Sequence, residues 1–240
     1  MKRLFDKNQL TFSLIWIGVY VVLLSLADGL SSRFGVEKII TAPLCVVMTL
    51  VLFNFIKSSG LMAYCGLKKG GISPKSWLYF LPLALLASTN FWGGVALNMT
   101  VLETVLYILA MLCVGFLEEV IFRGLLFNAL RKDNLVRAVI ISSLTFGIGH
   151  IINLLNGAEV LATLLQIVYA TAAGFLFTVI FLCSGSLLPC IITHSAINSF
   201  SAVTGRSSRE LDIAAAVVLT VVSVSYGLWI LKKHPITKQE

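Results

Sequence analysis

Two adjacent glutamates and an arginine stand together in Glu118-Glu119-Val120-Ile121-Phe122-Arg123, inside an apolar run from Val101 to Leu130. Further along, Phe146-Gly147-Ile148-Gly149-His150 and His194-Ser195-Ala196-Ile197-Asn198 place one histidine in each of two other apolar runs. The third histidine, His234, lies near the end of the chain. Ionisable groups at bilayer depth cost roughly 2.5–3.5 kcal/mol each on insertion scales, so they are rare and mark function by default. These residue types suit attack of water on a carbonyl. A carboxylate in apolar surroundings has its charged form disfavoured, which suits a general base. A neighbouring imidazole can share the water or pass a proton to a leaving amine. Two donors on another helix can hold the oxyanion, at about 2.7–4 kcal/mol for each such donor in other enzymes.

Spacing gives these side chains directions. On a helix of about 3.6 residues per turn, Glu118 and Glu119 point about 100° apart. Glu119 and Arg123 are i,i+4 and share a face, so they read as an ion pair locking the helix, with substrate contact as the alternative. Glu118 is then free to face another element. Phe146 and His150 are also i,i+4, and the phenyl ring reads as packing that holds the imidazole. His194 and Asn198 repeat the spacing, so two donors converge from one face. Ser195 points off that face, and no serine or cysteine is placed as a nucleophile.

The elements that must position these groups follow from composition. Of 240 residues, 58% are hydrophobic and only 12% charged, against about 25% charged in a soluble chain. The expected fold is all-α, one integral membrane domain over 1–240 with eight transmembrane helices and 101–203 as its functional core. The spans are expected at 10–27, 39–56, 77–97, 101–128, 135–155, 159–182, 186–203 and 211–231. The run after Lys2, Arg3 and Lys7 lacks a clean small-residue cleavage site and reads as the first membrane helix. An even number of spans puts both termini on one side. With that side cytoplasmic, the inner segments hold 13 Lys and Arg and the outer segments 4, with Arg123 inside the membrane. This asymmetry follows the positive-inside rule and predicts a multi-pass protein of the cell membrane.

The net charge of +7 therefore belongs to loops facing membrane lipid, above all the Lys-rich 57–75 loop, and argues against a nucleic-acid partner. The five cysteines form no C-x-x-C pair and read as free thiols. Trp77, Tyr79 and Trp92 read as interfacial anchors. Asn54, Asn90, Asn153 and Gln166 read as helix glue or caps, and Asp28, Glu103 and Glu159 as hydrated helix ends. At about 1.5 Å per residue, Glu118 lies roughly 20 Å from Arg131, and His150 roughly 20 Å from Arg137. The two come to matching depth, and Asn198, one turn beyond His194, approaches the same layer.

The three stretches, in this order, resemble the CPBP family of CAAX proteases and bacteriocin-processing enzymes, also called Abi. Its pattern of E-E-x-x-x-R, F-x-x-x-H and H-x-x-x-N is matched at Glu118-Glu119-x-x-x-Arg123, Phe146-x-x-x-His150 and His194-x-x-x-Asn198. The resemblance covers about residues 101–203 and implies an intramembrane endopeptidase with an eight-helix core. It implies that Glu118 and His150 activate water, that His194 and Asn198 form the oxyanion hole, and that Glu119 and Arg123 support them. It also implies a substrate that is a membrane-associated peptide or protein tail: a prenylated tail, a pheromone or a bacteriocin precursor. A glutamate-dependent mechanism without a cofactor is expected. The alternative is zinc held by Glu118, His150 and His194, although no H-E-x-x-H is present. Two other classes compete with the enzyme, a non-catalytic immunity or binding protein and a transporter. The transporter is weakened because the chain has no inverted repeat.

Overall fold

The computed structural model describes residues 1–68, 80–205 and 208–233. Trp77, Tyr79, residues 69–75 of the basic 57–75 loop, Arg206 and His234 lie outside the described residues. The described residues are helical almost throughout, with one isolated antiparallel bridge, Val95 to Thr204. A short α1 (Lys2–Lys7) leads into α2 (Gln9–Phe34), α3 (Thr41–Ser58) and α4 (Leu81–Ser88). Then come α5 (Val101–Leu130), α6 (Leu135–Gly149), α7 (Ile152–Leu155), α8 (Val160–Ser184), α9 (Leu188–Phe200) and α10 (Arg209–Lys233).

Local chemistry sets these boundaries. Asn8 and Asn134 accept from the backbone N–H groups of Thr11 and Arg137, each at 2.9 Å, and so cap α2 and α6. Thr100 and Glu103 form a reciprocal capping box that starts α5. Glu103 also accepts from the Glu37 backbone N–H at 3.1 Å, so it ties two elements together and is more than a hydrated helix end. Proline in the first turn opens α4 and α9.

Among the described residues, six helices are long and apolar enough to cross a membrane: Gln9–Phe34, Thr41–Ser58, Val101–Leu130, Leu135–Leu155, Val160–Ser184 and Arg209–Lys233. The protein is thus an all-α, multi-pass membrane protein. The other two expected spans are shorter. The 77–97 run is helical over Leu81–Phe91 and then turns into extended chain after Gly94, whose φ is +85°. The 186–203 run is helical over Leu188–Phe200 and ends in a 3-10 turn, Ser201–Val203. A 13-residue helix covers about 20 Å, against a hydrocarbon core of about 30 Å.

The helices close a ring. In sequence of contact it runs α2, α3, α5, α9, α4, α10, α8, α6 and back through the second half of α5 to α2. That second half is not a regular α-helix. From Val120 to Phe127 it widens into a π-helix with i→i+5 bonds, then returns to α at Asn128. Extended π turns are rare and occur mostly at functional sites. All eight of these residues are buried, with Val120, Ile121, Leu125, Leu126 and Phe127 at the centre of the core. The α5–α9 crossing is unusually close. A Cβ on Gly115 would overlap the backbone and hydroxyl of Ser195, and that hydroxyl donates to the Leu112 carbonyl at 3.2 Å. This contact sets His194 directly beside Glu119.

Candidate active site

The α-to-π junction of α5 holds both glutamates, and they have different fates. Glu119 and Arg123 are fully buried. Arg123 Nη1 donates to Glu119 Oε1 at 2.9 Å, so the pair inferred from spacing exists. The guanidinium lies 4.1 Å from the centre of the Phe146 ring, with the Phe177 ring at 5.8 Å. Its Nε and Nη2 make no hydrogen bond, so aromatic faces supply much of its solvation. Gly174 makes room for it: a Cβ there would lie 3.1 Å from Nη2 and 3.2 Å from Phe146 Cδ1. Glu119 Oε1 also accepts from His194 Nδ1 at 2.9 Å, since an ionised carboxylate only accepts. Arg123, Glu119 and His194 thus form a continuous buried chain linking α5 to α9.

Glu118 turns the other way. Its Oε1 accepts from the Tyr20 hydroxyl of α2 at 2.5 Å. Its Oε2 has no hydrogen-bond partner and stands 3.6 Å from His194 Nε2. The side chain keeps 14% of its surface exposed. That surface opens into a cavity of about 120 Å³ between α2, α5, α6 and α7, whose lining includes Tyr20, Asp28, Glu118, Phe122, Phe146 and His150.

His150 caps the C-terminal end of α6, where the helix breaks before α7. Its Nδ1 lies 3.1 Å from the Phe146 carbonyl oxygen. A carbonyl cannot donate, so Nδ1 carries the proton and the neutral ring presents Nε2 as its free acceptor. Phe146 is more than packing. Its ring meets His150 at 5.4 Å, His194 at 5.6 Å and Phe122 at 5.3 Å, all edge to face, besides carrying Arg123.

The structure therefore brings Glu118, Phe146 and His150 to one cavity. Glu119, Arg123 and His194 stand directly behind it. Asn198 is not among the cavity-lining residues. It is half-buried one turn beyond His194, its carbonyl accepts from Ser201, and its amide makes no hydrogen bond among the described residues.

Two contributors are absent from the sequence-based set. Tyr20 is one; the available signal is a phenol more than two turns inside an apolar helix, where a buried hydroxyl needs a partner. Asp28 is the other. It is not simply a hydrated helix end, because it lines the cavity and accepts from Lys38 Nζ at 2.8 Å and Thr41 Oγ1 at 2.5 Å. Asn153 and Gln166 bond each other at 2.8 Å, and Asn90 donates to the Ile197 carbonyl at 2.8 Å, which is helix glue as expected.

Among the described residues, no three His, Cys, Asp or Glu side chains are grouped as a metal site. Of the candidate zinc ligands, Glu118 Oε2 and His194 Nε2 stand 3.6 Å apart, and the His194 Nδ1 bond to Glu119 is compatible with ligation through Nε2, but His150 is not grouped with them as a third ligand.

Residues 100–200 match the family model described as type II CAAX prenyl endopeptidase Rce1-like. Over that stretch the chain is similar to this CAAX protease family. The match begins at the capping box of α5 and ends at the last residue of α9, so it contains all three motif stretches. No curated protein and no solved structure matches the chain.

Proposed function

We propose that this protein is an intramembrane endopeptidase that hydrolyses a peptide bond near the end of a membrane-associated, CAAX-like tail, with Glu118 as general base. One observation carries this reading: Glu118, with an unpartnered Oε2, shares a single cavity with His150, whose Nε2 is left open by the Nδ1 bond to Phe146. A water molecule in that cavity gives a proton to Glu118 while its oxygen bonds to the scissile carbonyl carbon. The tetrahedral oxyanion collapses, the C–N bond breaks, and the proton returns to the leaving nitrogen with His150 as carrier. General acid–base catalysis of this kind contributes typically 10²–10⁴-fold.

His194 is held between Glu119 on Nδ1 and Glu118 near Nε2, and as an imidazolium its Nε2–H donates to the oxyanion. Asn198, with an uncommitted amide on the same helix, is the second donor. Glu119 and Arg123 hold His194 in place. The family description supports a prenylated tail as substrate. We place the protein in the cell membrane with both termini cytoplasmic, on the Lys and Arg asymmetry of the loops. The α4 and α9 segments complete an eight-helix core without each needing full spanning length.

The test is cleavage of a farnesylated CAAX-tail peptide by the purified protein in nanodiscs. Glu118→Gln and His150→Ala are each expected to lose roughly 10²–10⁴ in rate. Full activity in a strong chelator is expected. Wild-type cleavage by Glu118→Gln would end the proposal, and loss in chelator restored by zinc would replace the metal-free mechanism.

A further inference from the structure

Tyr20 lies about a hundred residues from the motif stretches in sequence, yet its hydroxyl makes the one hydrogen bond that Glu118 has. The phenol is 6% exposed and lines the same cavity as Glu118 and His150. At 2.5 Å the contact is at the short end for an O–H donating to a charged carboxylate, a class about twice as strong as neutral bonds. It also distinguishes the two carboxylate oxygens. Oε1 is occupied by Tyr20, whereas Oε2 is the oxygen that stays unpartnered and closest to His194. Without the phenol, the carboxylate could rotate about its last torsion, which is broad and roughly two-fold.

We propose that Tyr20 is a positioning residue: its hydroxyl pins Glu118 Oε1 and thereby makes Oε2 the oxygen that takes the proton from water. This rests on Glu118 acting as base. Helix glue alone does not account for the arrangement, because α2 already packs against the Val120–Phe127 stretch of α5 within one continuous apolar core. A helix seam does not require a phenol placed on the one carboxylate that faces the cavity.

The test uses the full chain in nanodiscs with the farnesylated CAAX-tail peptide as probe. Tyr20→Phe removes one oxygen and keeps the ring. The expected result is a loss of about 10–100-fold in kcat with KM within about twofold, and a Tm within a few degrees of wild type, since a misplaced general base costs the chemical step. Replacing Tyr20 with fluorotyrosines of graded acidity keeps the shape, and kcat is expected to follow the acidity of the phenol. A packing role would leave kcat flat across the series.

A second readout needs no turnover. The ¹⁹F resonance of 3-fluorotyrosine at position 20 is expected to shift in Glu118→Gln and to stay in place in Glu210→Gln, a remote control on α10. Wild-type kcat in Tyr20→Phe, or a ¹⁹F signal indifferent to Glu118→Gln, overturns the inference. If Tyr20→Phe is fully active while Glu118→Gln is dead, only the role of Tyr20 falls. If Glu118→Gln is itself active, the endopeptidase reading falls with it.

Discussion

Glu118 and Glu119 are neighbours in the chain and the same residue type, and they sit in opposite kinds of site. Glu119 is fully buried, paired with Arg123 and shared with His194. Glu118 keeps one oxygen on Tyr20 and leaves the other without a partner, and the residue lines the cavity. The backbone makes the difference, since consecutive helical residues face about 100° apart. One carboxylate therefore enters the α5–α9 seam and the other the α2–α6 side. Glu119 Oε2 also lacks a hydrogen bond, but its Oε1 is shared by a cation and a histidine, so its charge is already committed and it acts as a strut. A carboxylate with a free oxygen that shares a cavity with an open imidazole is available for proton transfer.

Breaking the strut should have the largest effect. Arg123→Ala leaves the Glu119 charge buried without its cation, which costs about 3–5 kcal/mol, and is expected to lower both Tm and activity. Glu118→Gln should separate the two sites, with activity lost and Tm nearly unchanged. A collapse of Tm in Glu118→Gln as deep as in Arg123→Ala would erase the distinction. Asn198→Ala removes the second proposed oxyanion donor and is expected to cost about 10²–10³ in kcat without unfolding. Unchanged kcat there would confine oxyanion binding to His194.

Gly174→Ala crowds the guanidinium and Phe146 from behind and is expected to destabilise by about 1–3 kcal/mol, read as a lower Tm. Its kcat should fall less than that of Glu118→Gln or His150→Ala. The smallest effect belongs to Ser25→Ala. Ser25 donates to Asn156 at 2.8 Å across the mouth of the cavity, an exposed bond worth about 1 kcal/mol or less. A change in KM without a change in Tm is expected.

The residues that define the motif stretches were legible because each is a polar group in an apolar run, and such groups stand out by cost alone. The i,i+4 pairing of Glu119 with Arg123 was legible because it is local. Hydropathy found eight apolar runs, and eight helical segments occur there, but six have spanning length. The difference arises because an apolar run reports burial and does not distinguish lipid from protein as the apolar surroundings. The π stretch from Val120 to Phe127 has no sequence signature of its own. Tyr20 was missed because one phenol in an aromatic-rich helix carries no mark of its partner.

By itself the sequence determined that the chain lies in a membrane, that its rare ionisable groups fall on three helices, and which of them share a helix face. These follow from transfer cost and helical period, both properties of the chain alone. Tertiary structure decided that His194 reaches back to Glu119, that Tyr20 claims one oxygen of Glu118, and that Asn198 stands outside the cavity. Each of those depends on how close two helices approach and at what rotation, which is set by residues such as Gly115 and Ser195 meeting from distant parts of the sequence.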